Sequence, residues 1–117
     1  MALSKVTLST RFGDKFAKET DGGSTLTVLE SSSSTVFSVQ AVNTTSSSIY
    51  VKLYNNASAT DSNSPDMILK FNASKTQTYH FTEGVAFGTA LGLRCVTSAG
   101  TGGTGDPGTI VIKVVYD

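Results

Sequence analysis

Over residues 49–54 apolar and polar side chains alternate, with Ile49, Val51 and Leu53 on one side and Tyr50, Lys52 and Tyr54 on the other. That period of two, carried by β-branched and aromatic residues, predicts a strand with one buried and one wet face. Just upstream, Phe37, Val39 and Ala41 alternate with Ser38 and Gln40, and the polar residues 43–48 between the two runs predict the turn of a hairpin. The pattern recurs at Met67, Leu69 and Phe71, at Tyr79 and Phe81, and at Leu91, Leu93 and Cys95, with Asn-, Ser- and Gly-rich stretches in between. Gly88 and Gly92 mark places for a bulge or a close backbone approach. The last run sets Ile110, Ile112, Val114 and Tyr116 on one face and Val111, Lys113 and Val115 on the other, so it reads as a central strand or a covered edge.

Seven to nine short strands, turn signals every eight to twelve residues and no room for crossover helices predict an all-β, antiparallel β-sandwich of jelly-roll-like build. Its expected core is Phe37, Val39, Ile49, Val51, Leu53, Met67, Leu69, Phe71, Leu91, Leu93, Ile110, Ile112 and Val114. Ahead of it, Leu3, Val6 and Leu8 suit an edge strand or an extended arm. Phe12 and Phe16 stand four apart, as do Lys15 and Glu19, which is the spacing of one helical face and predicts a short helical turn or an irregular arm that docks two rings. The turn at Asp21–Ser24 divides an N-terminal arm or edge segment, 1–24, from a sandwich domain, 25–117.

Composition narrows the function. Nine basic residues balance nine acidic ones, which argues against nucleic acid or an anionic membrane as partner. Ser and Thr make up 33 of the 117 residues while only 15% are charged, so a partner is expected to be met through shape and hydrogen bonds. The single cysteine, Cys95, cannot close an intrachain disulfide or a cysteine metal site, and its apolar neighbours place it in the core. Nowhere do about 18 apolar residues stand together, and the first dozen residues lack a signal-peptide core, so no membrane step is expected.

Candidate chemistry is sparse. His80 is the only histidine, and alternation turns it away from Tyr79 and Phe81, toward solvent. The Gly-rich stretch 100–108 runs into a strand and contains no lysine, unlike a phosphate-binding loop; it reads as a hairpin connection in which Asp106-Pro107-Gly108 forms a type II turn. Asp14, Asp21, Asp61 and Asp66 match no calcium-loop spacing. The expectation is a non-enzyme without cofactor or metal. Tyr50 and Tyr54 flanking Lys52 offer a surface for a protein partner or a sugar, and Phe12 and Phe16 an anchoring arm; these five are the candidate interface.

Several segments in order resemble a family of small tailed-phage virion structural proteins. YVKLY at 50–54 stands where that family has a YLKLYD-like strand, DSNSP at 61–65 where it has a loop of the ATAPTVGTDTP kind, and GVAFGTAL at 84–91 where it has a GIRFSTGL-like segment. The Gly/Thr/Asp-rich loop 100–108 precedes the last strand in both, and the likeness covers roughly residues 36–117. It implies a virion structural protein and carries no catalytic residue. Small size, a neutral Ser/Thr-rich surface and the N-terminal segment favour a capsid decoration (cement) protein, located in the virion and bound as a homo-oligomer to the major capsid protein lattice. The alternatives are a tail, neck or fibre component, or a sugar-binding adsorption module.

Overall fold

A computed structural model describes residues 3–7, 15–100 and 102–117. Its strands are β1 (Leu3–Thr7), β2 (Lys15–Gly22), β3 (Thr27–Glu30), β4 (Ser34–Asn43), β5 (Ile49–Tyr54), β6 (Met67–Phe71), β7 (Lys75–Phe87), β8 (Leu91–Val96) and β9 (Ile110–Tyr116). The pairings are antiparallel and nested: β5 with β6, β4 with β7, β3 with β8, and β2 with β9. One long hairpin whose tip lies between β5 and β6 has rolled up, so successive pairs fall in opposite layers. Pairings of β4 with β9 and β5 with β8 knit each layer together, giving sheets β1-β2-β9-β4-β7 and β3-β8-β5-β6. This is the wrapping of a jelly roll, an antiparallel β-sandwich.

The core lies between the inner faces, where Val39, Ala41, Ile112 and Val114 of one sheet face a layer made of Ile49, Val51, Leu53, Leu93 and Cys95 of the other. Of the residues expected there, all are buried except Phe37 and Met67. Met67 is half-buried and packs against the core from the end of β6. Phe37 faces outward because the register slips between Val36, opposite Tyr116, and Ser38, opposite Val115. This bulge sends both Val36 and Val39 inward and breaks the strict alternation on which the expectation for Phe37 rested. On the other side of β4, the four residues Phe81–Gly84 of β7 span the same step, and β7 continues to Phe87. Gly84 adopts a φ of 78°, and a Cβ there would collide with Thr35, so glycine is required by both conformation and space.

Three expectations are corrected. Residues 15–22 form no helical turn but a strand lying between β1 and β9. The period of two was hidden because β2 turns Ala17 and Glu19 inward and Phe16, the larger apolar side chain, outward. Glu19 is tolerated inside because its carboxylate accepts from the Asp21 amide at 2.9 Å and from the Thr27 hydroxyl at 3.3 Å. Residues 15–22 are hydrogen-bonded along β9 and so belong to the sandwich, not to an arm standing apart from it. Finally, the loop 97–109 is no hairpin connection: β8 and β9 lie in different sheets, and the loop crosses from one to the other. Within it Gly108 has the expected positive φ, 91°, and its amide donates to the Asp106 side chain, at Oδ1, at 2.9 Å.

Candidate functional site

Alternation does carry Tyr50, Lys52 and Tyr54 to the outer face of the four-stranded sheet, beside Val96, Arg94 and Gly92 of β8. Over β5 and β8, however, that face is covered by the chain itself, and on β6 Ile68, 39% exposed, and Lys70 stay uncovered. Lys52 is wholly buried and Tyr54 is 2% exposed. The connections after β5 and β8 fold back over them, and Lys52 Nζ donates to the carbonyls of Gly100 at 2.6 Å and Gly103 at 2.8 Å. Arg94 donates to Asp61 Oδ1 and, at 3.0 Å, to the Ala59 carbonyl, while its guanidinium lies 5.3 Å from the centre of the Tyr54 ring. Gly92 permits this closure, since a Cβ would press on Leu26 at 3.0 Å and on the Asn56 carbonyl at 3.1 Å.

Lys52 and Tyr54 thus act as internal staples, and only Tyr50, half-buried, keeps any outward surface. Burial lowers the Lys52 pKa, and the neighbouring Arg94 charge adds to the effect. Burial likewise raises the Tyr54 phenol. The signal for the cover lies in the strand register and not in the local sequence. Lys52 faces Arg94 directly across the strands, and two adjacent cations on a sheet face call for a layer of acceptors above them.

The five-stranded sheet has a different outer face. Cross-strand register sets Phe16, Val115, Ser38 and His80 in one row and Lys18, Lys113, Gln40 and Thr78 in the next. Gln40 Nε2 donates to Thr78 Oγ1 at 3.0 Å, and the other members of these rows are half-buried or exposed. Phe37, Phe81 and Val115 line a shallow groove of about 420 Å³ that meets a second hollow, between Phe16 and Lys113, at Ser38 and His80. Of the candidate interface residues, Phe16 therefore sits on this face, Phe12 lies outside the described residues, and Phe37 and Val115 join the face unforeseen. Phe37 was hidden by the bulge, and Val115 by a strand that reads as apolar all round.

No catalytic arrangement gathers here. His80 stands opposite Ser38 on an open sheet face, and among the described residues no three His, Cys, Asp or Glu side chains form a group able to hold a metal ion. The acidic side chains near Pro65 are spent on loop structure: Asp61 holds Arg94, and Asp66 Oδ2 accepts from the Asn55 amide at 2.7 Å. Cys95 is fully buried, and its thiol is pushed up to about 12, chiefly by burial, which makes it a packing residue and not a nucleophile. Among the described residues no helix is long and apolar enough to cross a membrane. Comparison with protein-family models, curated proteins and solved structures finds no match to this chain.

Proposed function

We propose that this chain is a virion structural protein of a tailed phage, a capsid decoration protein that lies on the major capsid protein lattice through the outer face of its five-stranded sheet. The observation that carries the proposal is the asymmetry of the two layers. The four-stranded sheet is covered over β5 and β8 by its own loops, which leaves Tyr50, Ile68 and Lys70 uncovered toward β6, while the five-stranded sheet presents Phe16, Phe37 and Val115 among Ser, Thr and Gln side chains with no described segment across them. A half-apolar sheet face of that kind suits burial against another protein. The likeness of residues 36–117 to tailed-phage structural proteins supports the virion as the setting. Lattice binding would also add to the folding stability of a small domain by mass action.

Tyr54 is unavailable as a stacking platform, so the sugar-binding reading has no support on the four-stranded sheet. Cryo-electron microscopy of virions carrying the protein tests the proposal. Copies spread over the shell, with β2, β9, β4 and β7 turned toward the capsid surface, are the expected result. A single ring at one vertex would replace decoration by a neck or tail role, and absence from purified virions would overturn the virion reading altogether.

A further inference from the structure

The two sheets share an uncommon feature, and only one of them resolves it. Lys52 stands opposite Arg94 across β5 and β8, and Lys18 stands opposite Lys113 across β2 and β9. Cross-strand partners have Cβ atoms about 4.5–5.5 Å apart, so like charges in these positions repel. In the four-stranded sheet the chain lays its own loops over the pair, giving Arg94 the Asp61 carboxylate and Lys52 two backbone carbonyls. In the five-stranded sheet no described residue does the same: neither Lys18 nor Lys113 is in an ion pair among the described residues. The acidic residues of β2 and of the edge strand β7 are directed elsewhere, with Glu19 buried on the opposite side, Asp21 accepting from Thr109, and Glu83 at the irregular step of β7. Lysines often blunt the edges of sheets, but β2 and β9 are internal strands, so that explanation does not apply.

We infer that the outer face of the five-stranded sheet receives an extended protein segment that supplies a carboxylate to Lys18 and Lys113 and an apolar side chain to the groove beside Phe37 and Val115. The inference rests on that face being the docking side and adds the chemistry of what docks. The lysine row and the Phe16–Val115 row are two residues apart along each strand, about 6.8 Å. An acidic residue two positions from a large apolar one on an extended segment matches that step. The covered pair in the other sheet shows the same solution made within one chain, a carboxylate and backbone carbonyls laid over two cations. A nucleic-acid strand fits less well, because its repeating phosphates would meet one pair of lysines and then an apolar groove.

Isotope-labelled full-length protein titrated with a blocked peptide Thr-Glu-Thr-Phe-Thr provides the test, with peptides carrying Gln or Lys in place of Glu and a short single-stranded DNA as comparisons. The expected result is amide shifts confined to β2, β4, β7 and β9, and affinity at least about tenfold weaker for the Gln peptide, as loss of a close charge pair implies. The Lys18→Glu/Lys113→Glu variant should lose the Glu peptide and gain the Lys peptide, a reversal that mere misfolding does not produce. Should that variant fail to fold, Lys113→Gln alone should weaken the Glu peptide and leave binding of the Gln peptide unchanged. No outer-face shifts at about millimolar peptide, equal affinity for Glu and Gln peptides, or tighter binding of DNA would each overturn the inference. Its failure is distinct from that of the decoration proposal: virions that keep the charge-reversed variant at full occupancy sink the inference alone, whereas virions without the protein sink the proposal alone.

Discussion

Replacing Asn43 by alanine is expected to cost the fold about 3 kcal/mol, and the figure follows from the contacts of one side chain. Asn43 ends β4 and is 1% exposed. Its Nδ2 donates to the carbonyls of Ser47 at 2.9 Å, Asn72 at 3.0 Å and Phe71 at 3.3 Å, and its Oδ1 accepts from the amide and the hydroxyl of Thr45 at 3.0 and 2.7 Å. One side chain therefore ties the β4–β5 turn to the β6–β7 turn, at the end of β5 and β6 opposite the tip of the rolled hairpin. Alanine removes two N–H donors and an acceptor; at about 1 kcal/mol for each neutral hydrogen bond, three to four are lost, and the buried Phe71 carbonyl can be reached by water only at a cost. An unfolding entropy of about 2.1 cal/mol/K per residue gives about 0.25 kcal/mol/K for 117 residues, so Tm should fall by about 12 °C. Thermal and urea unfolding followed by circular dichroism measure it. Asn43→Asp sharpens the test, because it retains the shape but aims a charged acceptor at three carbonyls. The folded state then favours the neutral acid, so its carboxyl pKa lies above the unfolded value of about 3.9; the variant is least stable above the folded pKa and recovers as pH falls through it. An Asn43→Ala loss below about 1 kcal/mol, or an Asp variant more stable than the Ala variant at neutral pH, would refute the reasoning.

The Lys52→Met variant should unfold with a free energy within about 1.5 kcal/mol of wild type, since the removed hydrogen bonds are offset by relief of a buried charge. Amide exchange of residues 98–108 should nevertheless accelerate, and unchanged exchange would deny Lys52 its stapling role. The folded Lys52 pKa lies below 10.5, so the unfolded chain holds that proton more firmly, and the contribution of this group to stability rises as pH climbs toward 10.5. The gap between wild type and Lys52→Met should therefore shift in favour of wild type on going alkaline; a shift the other way contradicts the assignment. Deleting residues 1–7 removes only the edge strand β1 and should leave a folded domain by circular dichroism, whereas deleting residues 1–22 strips β2 from β9 and should unfold it. A stable 1–22 deletion would restore the picture of an N-terminal arm.

The hydrophobic pattern by itself determined the class of fold, because a period of two repeated in short runs between turn residues can bury its apolar side only as stacked sheets. It also determined most of the core, from Val39 to Val114, and the inert character of Cys95. The pattern was misleading at β2, where the inward positions carry Ala17 and Glu19, and at Phe37, where one extra residue in β4 reverses the facing of everything before it. Both depend on which strand lies alongside, a long-range fact that no window of neighbouring residues contains. The same holds for the surface. Local alternation sends Tyr50, Lys52 and Tyr54 outward correctly, yet whether outward means solvent is decided by loops arriving from residues 59–61 and 100–103. Only the rolled topology, which lays those loops over β5 and β8 of one sheet and no described segment over Lys18, Lys113 and the Phe37 groove of the other, separates a covered face from an open one.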